Sequence, residues 1–249
     1  MRKILITGAS TGLGMEMSKY LSKNFYVIAV SRRFNLMKKN FKSFNNIEFH
    51  QLDLSKKKKL IIFLKLINKK HPDIDYVINN AAIFQKEKFN NIKQADLEYN
   101  INLNLFAPVI IMNFFIKSMR KKNFGRIINI SSGAAYNCFE DYSMYSATKA
   151  SLNVFSLTAA KEYKNYNIKI NLFSPGPIKT KMTGSNGVFP ISRVLPTIDF
   201  LLKEDKNLFT GQFVWIDRIL PQRPDLKGVQ WFKGKASNKF PLINKYFNE

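Results

Sequence analysis

The chain has 249 residues, of which 45% are hydrophobic, a formal net charge of +23 and one cysteine. This length is enough for one large hydrophobic core, so we expect residues 1–249 to form a single domain. No run of about 18 apolar residues suggests a membrane-spanning helix, and one cysteine excludes an internal disulfide, which fits a reducing cytoplasm.

Apolar runs typical of strands alternate with runs typical of helices. Strands are predicted at 3–7, 25–30, 47–52, 75–79, 126–131, 168–173 and 212–216. Helices are predicted at 13–22, around 60–67, at 95–120 with a bend at Pro108, and at 143–163. This alternation indicates βαβ units. It predicts a doubly wound α/β fold with a mostly parallel seven-stranded sheet and helices on both faces.

The first predicted turn, TGASTGLG at 7–14, contains three glycines between a strand and a helix. A helix N-terminus presents free N–H groups and a positive dipole end to a phosphate, and glycine lets the backbone approach it closely. The spacing G-x-x-x-G-x-G differs from the usual G-x-G-x-x-G pattern. Taken alone, the motif leaves open a structural turn without a ligand.

Tyr145 and Lys149 are four residues apart in a predicted helix and therefore lie on one face. A phenol is a weak acid with an ordinary pKa of about 10, which a nearby ammonium lowers. Such a pair can exchange a proton with a carbonyl or an alcohol. Ser131 and Ser132 follow the fifth strand, at the sheet edge where ligands bind in α/β folds. A surface Tyr-Lys pair remains the alternative on this motif alone.

Five motifs together resemble the short-chain dehydrogenase/reductase family over residues 1 to about 182. They are TGASTGLG (7–14), NNAA (79–82) with Ala82 in place of the usual glycine, NLFA (104–107), ISS (130–132) with YSATK (145–149), and SPGPIKT (174–180). Their order and positions match those of the single-domain branch. The resemblance implies a Rossmann fold, and activity as an oxidoreductase acting on a carbonyl or a secondary alcohol.

The resemblance also implies roles for individual residues. Tyr145 would be the general acid or base, and Lys149 would lower its pKa and hold the nicotinamide ribose. Ser132, rather than Ser131, would polarise the substrate carbonyl, because of its distance in sequence from the tyrosine. Asn104 would hold a water in a proton relay, whereas Asn102 is interpreted as structural because it lacks the following Leu-x-Ala.

The second strand ends with Val-Ser-Arg-Arg at 30–33, without the acid that would bind an NAD ribose. Arginine suits a 2′-phosphate, and Arg32 stands at the expected position, about 18 residues after Gly14. Arg32 and Arg33 therefore favour NADP(H) over NAD(H), unless both merely face water. The family implies further cofactor contacts. These are Gly8, Ser10, Thr11, Gly12, Leu13 and Gly14 in the turn, Asp53 and Leu54 after the third strand, Asn80, Ala81, Tyr145, Lys149, Pro175, Gly176, Ile178 and Thr180.

Two regions leave the substrate open. A substrate loop is expected at about 181–210, and an atypical tail at about 218–249 that could cover the pocket, extend a subunit contact or be disordered. The substrate is expected to be a small carbonyl or alcohol, and a 3-oxoacyl thioester on an acidic carrier protein is one candidate. A homodimer or homotetramer is implied by the family. An NADP(H)-binding sensor or scaffold without turnover is the alternative function.

The positive charge has two interpretations. Lysines are spread along the chain and can simply be solvated, or their field can attract phosphate-bearing ligands or an acidic partner. A nucleic-acid binder would rest on charge alone and is not expected; it would show steep salt dependence.

Five other residues are candidates for the site. His50 and His71 lack ligand spacing, so no metal site is expected. Cys138 is interpreted as a bystander near the pocket, and Phe139 and Met144 could either face the substrate or belong to the core.

Overall fold

The computed structural model describes residues 1–221, which build one continuous sheet. Its strands run in the order β3-β2-β1-β4-β5-β6-β7-β8, and every neighbouring pair is parallel except β7 and β8. The strands are β1 (Arg2–Thr7), β2 (Phe25–Ser31), β3 (Ile47–Gln51), β4 (Ile74–Asn79), β5 (Gly125–Ile130), β6 (Ile168–Ser174), β7 (Phe213–Trp215) and β8 (Arg218–Leu220). The doubly wound α/β fold is confirmed.

Helices cover both faces of this sheet. They are α1 (Gly12–Leu21), α2 (Phe34–Phe41), α3 (Lys57–Lys70), α4 (Gln94–Ile101), α5 (Ala107–Lys122), α6 (Ala134–Asn137), α7 (Ser143–Glu162) and α8 (Leu195–Leu201). Short 3₁₀ turns occur at Phe89–Asn91, Gly184–Asn186 and Ile191–Val194. Helices α1, α2 and α8 share a core with one face of the sheet, and helices α3, α5 and α7 with the other.

Alternation along the strands divides the apolar side chains between the two cores. In β1, Ile4 and Ile6 enter the core beneath α1, whereas Leu5 enters the core beneath α3 and α5. All three are almost completely buried. A strand covered on both faces reads as a continuous apolar run, which explains why β1 and β2 were recognisable from sequence.

The predicted number of seven strands was wrong, because β8 adds an eighth, antiparallel strand. It begins at the position where the atypical tail was expected. Ile216 adopts a left-handed conformation with a φ of 57°, and with Asp217 it forms the tight turn between β7 and β8. Such turns need positive φ and are usually signalled by Asn or Gly, so an Ile-Asp hairpin gave no sequence signal. The rest of the predicted tail, from residue 222, lies outside the described residues.

The predicted helix at 95–120 has an unforeseen interruption. Residues Asn102–Phe106 form a π-helical turn between α4 and α5, in which the N–H of Ala107 bonds the carbonyl of Asn102. Pro108 then stands in the first turn of α5, directly after the π-helical turn. The bend expected at the proline is therefore a widened turn placed before it.

The stretch Gln94–Lys122 is long and apolar enough to cross a membrane by length and composition alone, and it is the one such stretch within residues 1–221. In the fold it serves as a core element. Ile111, Phe115 and Met119 of α5 are buried against the sheet. The core helix of a globular protein passes the same test, so this feature does not indicate a membrane protein.

Part of the predicted substrate loop at 181–210 is helical and buried. Val194, Ile198 and Leu201 are spaced along one face of the segment containing α8 and enter the core beneath α1. That spacing was a helix signal that we missed. Helix α2 was missed too, since it has only two buried apolar positions, Met37 and Phe41.

Candidate active site

A cavity of about 810 Å³ opens at the carboxyl ends of the parallel strands. The glycine turn after β1 forms one end, and the residues that follow β4, β5 and β6 form the floor and the other end. Among the described lining residues the charged ones are all cations, and none is Asp or Glu. They are Arg32, Arg33, Lys149 and Lys181. The cavity therefore favours an anionic ligand.

The glycine turn is shaped for close approach of a ligand to the backbone. Gly8 and Gly12 have φ values of 70° and 56°, which disfavour residues with a Cβ atom. A Cβ atom on Gly14 would come within 2.5 Å of the Asn80 Nδ2 atom. Asn80 holds the turn, because its Nδ2 donates to the carbonyl of Thr7 over 2.9 Å. These contacts and the start of α1, which lines the cavity, fit a dinucleotide phosphate.

The two arginines after β2 occupy different positions. Arg33 Nε donates to Ser10 Oγ over 3.0 Å, and its Nη2 donates to Thr11 Oγ1 over 2.7 Å, so it lies against the glycine turn. Arg32 instead hydrogen-bonds the Tyr99 hydroxyl of α4, and its Cζ lies 5.6 Å from the centroid of that ring. The sequence analysis singled out Arg32, whereas Arg33 is the arginine held on the glycine turn. The pairing of Arg32 with Tyr99 gave no sequence signal, because Tyr99 is remote in sequence.

Two residues predicted to contact the cofactor, Ser10 and Asp53, do not line the cavity. Ser10 is fully buried and anchors both Ser31 and Arg33. Asp53 accepts hydrogen bonds from the backbone N–H and the hydroxyl of Ser55, over 3.0 Å and 2.7 Å. The predicted residues that do line the cavity here are Gly8, Thr11, Gly12, Leu13, Gly14, Arg32, Arg33, Leu54, Asn80 and Ala81.

Tyr145, Lys149 and Ser132 all line this cavity. Helix α7 carries the first two, and Ser132 follows β5. Lys149 is 2% exposed, and its Nζ donates a hydrogen bond to the Ile130 carbonyl over 2.7 Å. The Nζ atom lies 5.6 Å from the centroid of the Tyr145 ring. One phenol, one hydroxyl and one ammonium thus share a confined space.

Burial dominates the electrostatics of this group. It raises the pKa of the Tyr145 phenol to about 12, against a hydrogen bond with Ser132 that lowers it. Burial also lowers the pKa of the Lys149 ammonium from 10.5 to about 8, because the charged form loses solvation. The expected lowering of the Tyr145 pKa by Lys149 is thus absent from this arrangement, and the phenol is protonated at neutral pH.

Asn104 lies beside this group and is 1% exposed. Its Oδ1 accepts from the N–H of Ile83 over 2.8 Å, and its Nδ2 donates to the carbonyl of Ile83 over 2.9 Å. Nδ2 also donates to Thr148 Oγ1 over 3.3 Å. The π-helical turn thus aims Asn104 at the backbone after β4 and at α7, and Asn104 is not among the residues that line the cavity.

The segment after β6 closes the other side. Pro175, Gly176, Ile178 and Thr180, which the family resemblance assigns to the cofactor, all line the cavity. Gly176 has a φ of 68°. The backbone N–H of Thr180 donates to Thr183 Oγ1 over 3.0 Å, and this hydroxyl donates to the Ile178 carbonyl over 2.6 Å. Thr183 therefore fixes the segment, and this contact was not predicted.

Phe84, Phe139, Tyr142 and Met182 line the cavity on the Tyr145 side. The sequence left both a substrate role and a core role open for Phe139, and its side chain is 51% exposed at the cavity. The same two roles were open for Met144, which is 3% exposed and belongs to the interior. Cys138 is exposed and lies outside the cavity lining. Phe84 was missed because its relation to Tyr142 and Tyr145 is long-range.

The two histidines lie together on the far side of β2 from the glycine turn. Glu48 accepts from both, at 2.6 Å from His50 Nε2 and 3.0 Å from His71 Nε2. Burial opposes ionisation of Glu48, but hydrogen bonds from Lys70, His71, His50 and Tyr26 outweigh it and lower its pKa to about 2. Within the described part of the chain, no group of His, Cys, Asp or Glu could hold a metal ion.

The sequence is similar to those of known proteins over most of its length. The family model described as short chain dehydrogenase matches residues 2–188. Benzil reductase ((S)-benzoin forming) of Bacillus cereus is 36% identical, over 86% of this chain and 91% of that protein. The 3-oxoacyl-[acyl-carrier-protein] reductase FabG of Buchnera aphidicola subsp. Schizaphis graminum is 31% identical, over 86% of this chain and 94% of that protein.

Solved structures are similar over most of the chain. The structure described as ElxO with NADP bound is 29% identical, covers 87% of this chain and 97% of its own, and has a TM-score of 0.79. A 4-hydroxyisoleucine dehydrogenase complexed with NADH is 24% identical over 87% of this chain and 97% of its own, with a TM-score of 0.82. At that identity the second likeness supports the fold alone.

Proposed function

Because the chain belongs to the short-chain dehydrogenase/reductase family, we propose that it is an NADP(H)-dependent oxidoreductase acting on a carbonyl or a secondary alcohol. The observation that carries the proposal is one cavity, lined by the glycine turn and Arg33 at one end and by Ser132, Tyr145 and Lys149 further in. NADP(H) supplies or accepts the hydride when bound there. The protein orients the reactants and moves the proton.

Tyr145 is the proton donor in the direction of reduction. Its pKa of about 12 keeps the phenol protonated at neutral pH, so it can donate to the oxygen of a carbonyl being reduced. Ser132 hydrogen-bonds the same phenol and orients the substrate oxygen beside it. In the reverse direction Tyr145 must lose its proton, and its burial opposes the phenolate that forms.

Asn104 supports this group by position. Its amide hydrogen-bonds both the N–H and the carbonyl of Ile83, and also Thr148 of α7. Helix α7 carries Tyr145 and Lys149. We assign it to holding these segments together and to the proton relay that the family motif implies. Pro175, Gly176, Ile178 and Thr180 then form the wall for the nicotinamide.

Three observations support NADP(H) over NAD(H). Arg33 lies on the glycine turn with two hydrogen bonds that orient its guanidinium. Arg32 lines the same end, and no carboxylate of residues 1–221 lines the cavity to repel a 2′-phosphate. A relative in structure, at 29% identity, is described as having NADP bound. Charge-assisted bonds from arginine are among the strongest available to a phosphate.

We also propose that the chain forms a single domain and works in the cytoplasm as a homodimer or homotetramer. The lone Cys138 is free and exposed, which suits a reducing compartment. Val154 and Phe155 of α7 are 64% and 50% exposed, and such an apolar surface on a helix suits contact between subunits. Size-exclusion chromatography with light scattering measures the assembly directly.

The test is coenzyme binding and coenzyme oxidation by the wild-type chain. Titration of Trp fluorescence with NADPH and with NADH should give an affinity at least about tenfold higher for NADPH. Addition of ketones and aldehydes should then oxidise NADPH. Failure to bind either coenzyme contradicts the proposal. Tight binding without turnover of any carbonyl would favour the sensor or scaffold instead.

A further inference from the structure

Three aromatic side chains form a continuous surface beside the reacting phenol. We call Phe84, Phe139 and Tyr142 the aromatic wall. Phe139 meets Tyr142 at a centroid distance of 5.6 Å, and Tyr142 meets Phe84 at 4.8 Å, both edge-on. Phe84 in turn meets Tyr145 at 5.1 Å with the rings at 73°. The aromatic wall therefore extends from the outer cavity to the proton donor.

The aromatic wall lies outside the two hydrophobic cores. None of its three members belongs to, or packs against, either hydrophobic core of the described chain. Phe139 is 51% exposed, and Phe84 and Tyr142 are half-buried, yet all three line the cavity. Clustered exposed aromatic rings in a cavity mark a binding surface for an apolar group.

The charged residues of the cavity further limit the class of substrate. Arg32 and Arg33 lie at the glycine-turn end, and Lys149 is engaged with the Ile130 carbonyl. Lys181 is the remaining cation, on the exposed segment after Thr180. Since no carboxylate of the described residues lines the cavity, a substrate amine has no partner there. A neutral ring suits the wall, because edge-to-face packing needs no charge.

We propose that the substrate is an uncharged ketone with an aromatic ring directly attached to the carbonyl carbon, as in an aryl ketone or an aryl 1,2-diketone. This inference rests on the oxidoreductase function proposed above. A conjugated ring is coplanar with its carbonyl, so packing the ring on Phe84 also fixes the direction of the oxygen. That oxygen is then held near Tyr145 and Ser132, and fixed geometry of this kind favours reaction.

The experiment compares two neutral diketones that differ in one group. 1-Phenyl-1,2-propanedione and 2,3-butanedione share the reacting dicarbonyl, but only the first has a ring. With NADPH and wild-type protein, kcat/KM should be at least about tenfold higher for the phenyl compound. Acetoacetyl-coenzyme A, a 3-oxoacyl thioester with a long polar arm, is measured beside them and should be the poorer substrate.

A variant series locates the selectivity. Phe84→Leu keeps an apolar side chain but removes the ring, so the phenyl-to-methyl ratio of kcat/KM should fall by about threefold to tenfold. Phe89→Leu is the matched control, since Phe89 is 83% exposed and lies outside the cavity lining. The control should keep the wild-type ratio.

Two results would overturn the inference. If wild-type protein reduces butanedione or acetoacetyl-coenzyme A as well as the phenyl compound, the aromatic class is wrong while the oxidoreductase function stands. If it reduces none of the three, nor any other carbonyl with NADPH, the oxidoreductase function fails and the inference fails with it. The wild-type comparison decides between these results even if Phe84→Leu does not fold.

Discussion

The Nζ atom of Lys149 donates a 2.7 Å hydrogen bond to the carbonyl oxygen of Ile130. This bond ties helix α7 to the end of β5, and Ser132 follows that strand by two residues. The relative positions of Tyr145 on α7 and Ser132 after β5 are therefore set by a buried ammonium. Its cost is desolvation, since the same burial lowers the pKa of Lys149 to about 8.

Lys149→Met should leave the coenzyme-free protein about as stable as wild type, or more stable, at pH 7, because it removes a buried charge. Turnover should be lost. The folded-state pKa lies below the 10.5 of the unfolded chain, so the unfolded state binds more protons between about pH 8 and 10.5. Over that range the stability of wild type should rise relative to the variant.

Urea unfolding at several pH values measures this difference. The variant provides the reference, because every other titrating group is common to both proteins. A difference that falls, or that stays flat between pH 8 and 10, would show that folding does not lower the pKa of the Lys149 amine.

Replacing the two arginines separately should give unequal effects on coenzyme binding. Arg33→Ala should weaken NADPH by about tenfold to a hundredfold, because it removes the guanidinium held at Ser10 and Thr11, and should barely affect NADH. Arg32→Ala should weaken NADPH less, since Arg32 is engaged with Tyr99. Fluorescence titrations with both coenzymes measure these effects.

Arg120→Ala serves as the charge-matched control, because Arg120 lies exposed in the last turn of α5 and away from the cavity lining. Equal losses of NADPH and NADH affinity in Arg33→Ala would argue against its assignment to a 2′-phosphate.

Local patterns explain what could be predicted. The glycine turn, the four-residue spacing of Tyr145 and Lys149, and the position of Ser132 after β5 each depend on one strand or one helix. Periodicity and strand order were enough to bring these residues to one sheet edge. The predicted cofactor and catalytic residues therefore gather around one cavity, with Ser10, Asp53 and Asn104 just outside its lining.

Long-range contacts explain what could not be predicted. Arg32 meets Tyr99, and Phe84 meets Tyr142, across segments far apart in the chain. No spacing rule encodes such pairs. The burial that raises the pKa of Tyr145 is also a property of the packed site, since the sequence shows the nearby ammonium and not the desolvation.

Asn104→Ala should destabilise the fold as well as reduce activity. It removes both amide contacts to Ile83, leaving a buried N–H and a carbonyl unpaired, at a cost of about 1 to 3 kcal/mol. Asn102→Ala is the matched control in the same π-helical turn and should cost well under half as much. Urea unfolding and kcat are measured for both variants. Equal destabilisation would contradict the assignment of Asn104 to holding the Ile83 segment and α7 together.

Gly14→Ala should disrupt the turn beside the cavity. The added Cβ atom would lie 2.5 Å from Asn80 Nδ2, and the nearby Gly8 carbonyl group leaves the Cβ atom no room to shift. Overpacking of this kind lowers the free energy of unfolding by about 1 to 3 kcal/mol. The affinity for NADPH should fall by about tenfold or more, because the turn that approaches the coenzyme is displaced.

Gly184→Ala is the control for backbone strain alone. Gly184 has a φ of 53° but no atom within 4 Å of an added Cβ, so it should lose stability without losing coenzyme affinity. Normal NADPH binding by Gly14→Ala would contradict the close approach inferred for the glycine turn.

The measurement that tests the central claim most directly is NADPH oxidation by Tyr145→Phe, with coenzyme binding checked by fluorescence. This change removes only the hydroxyl that donates the proton. We expect kcat to fall by about a hundredfold or more, while the NADPH dissociation constant stays within about threefold. Tyr163→Phe, at the end of α7 and away from the cavity lining, should keep wild-type activity. A Tyr145→Phe protein that retains most of the wild-type kcat would contradict the assignment of Tyr145 as the proton donor.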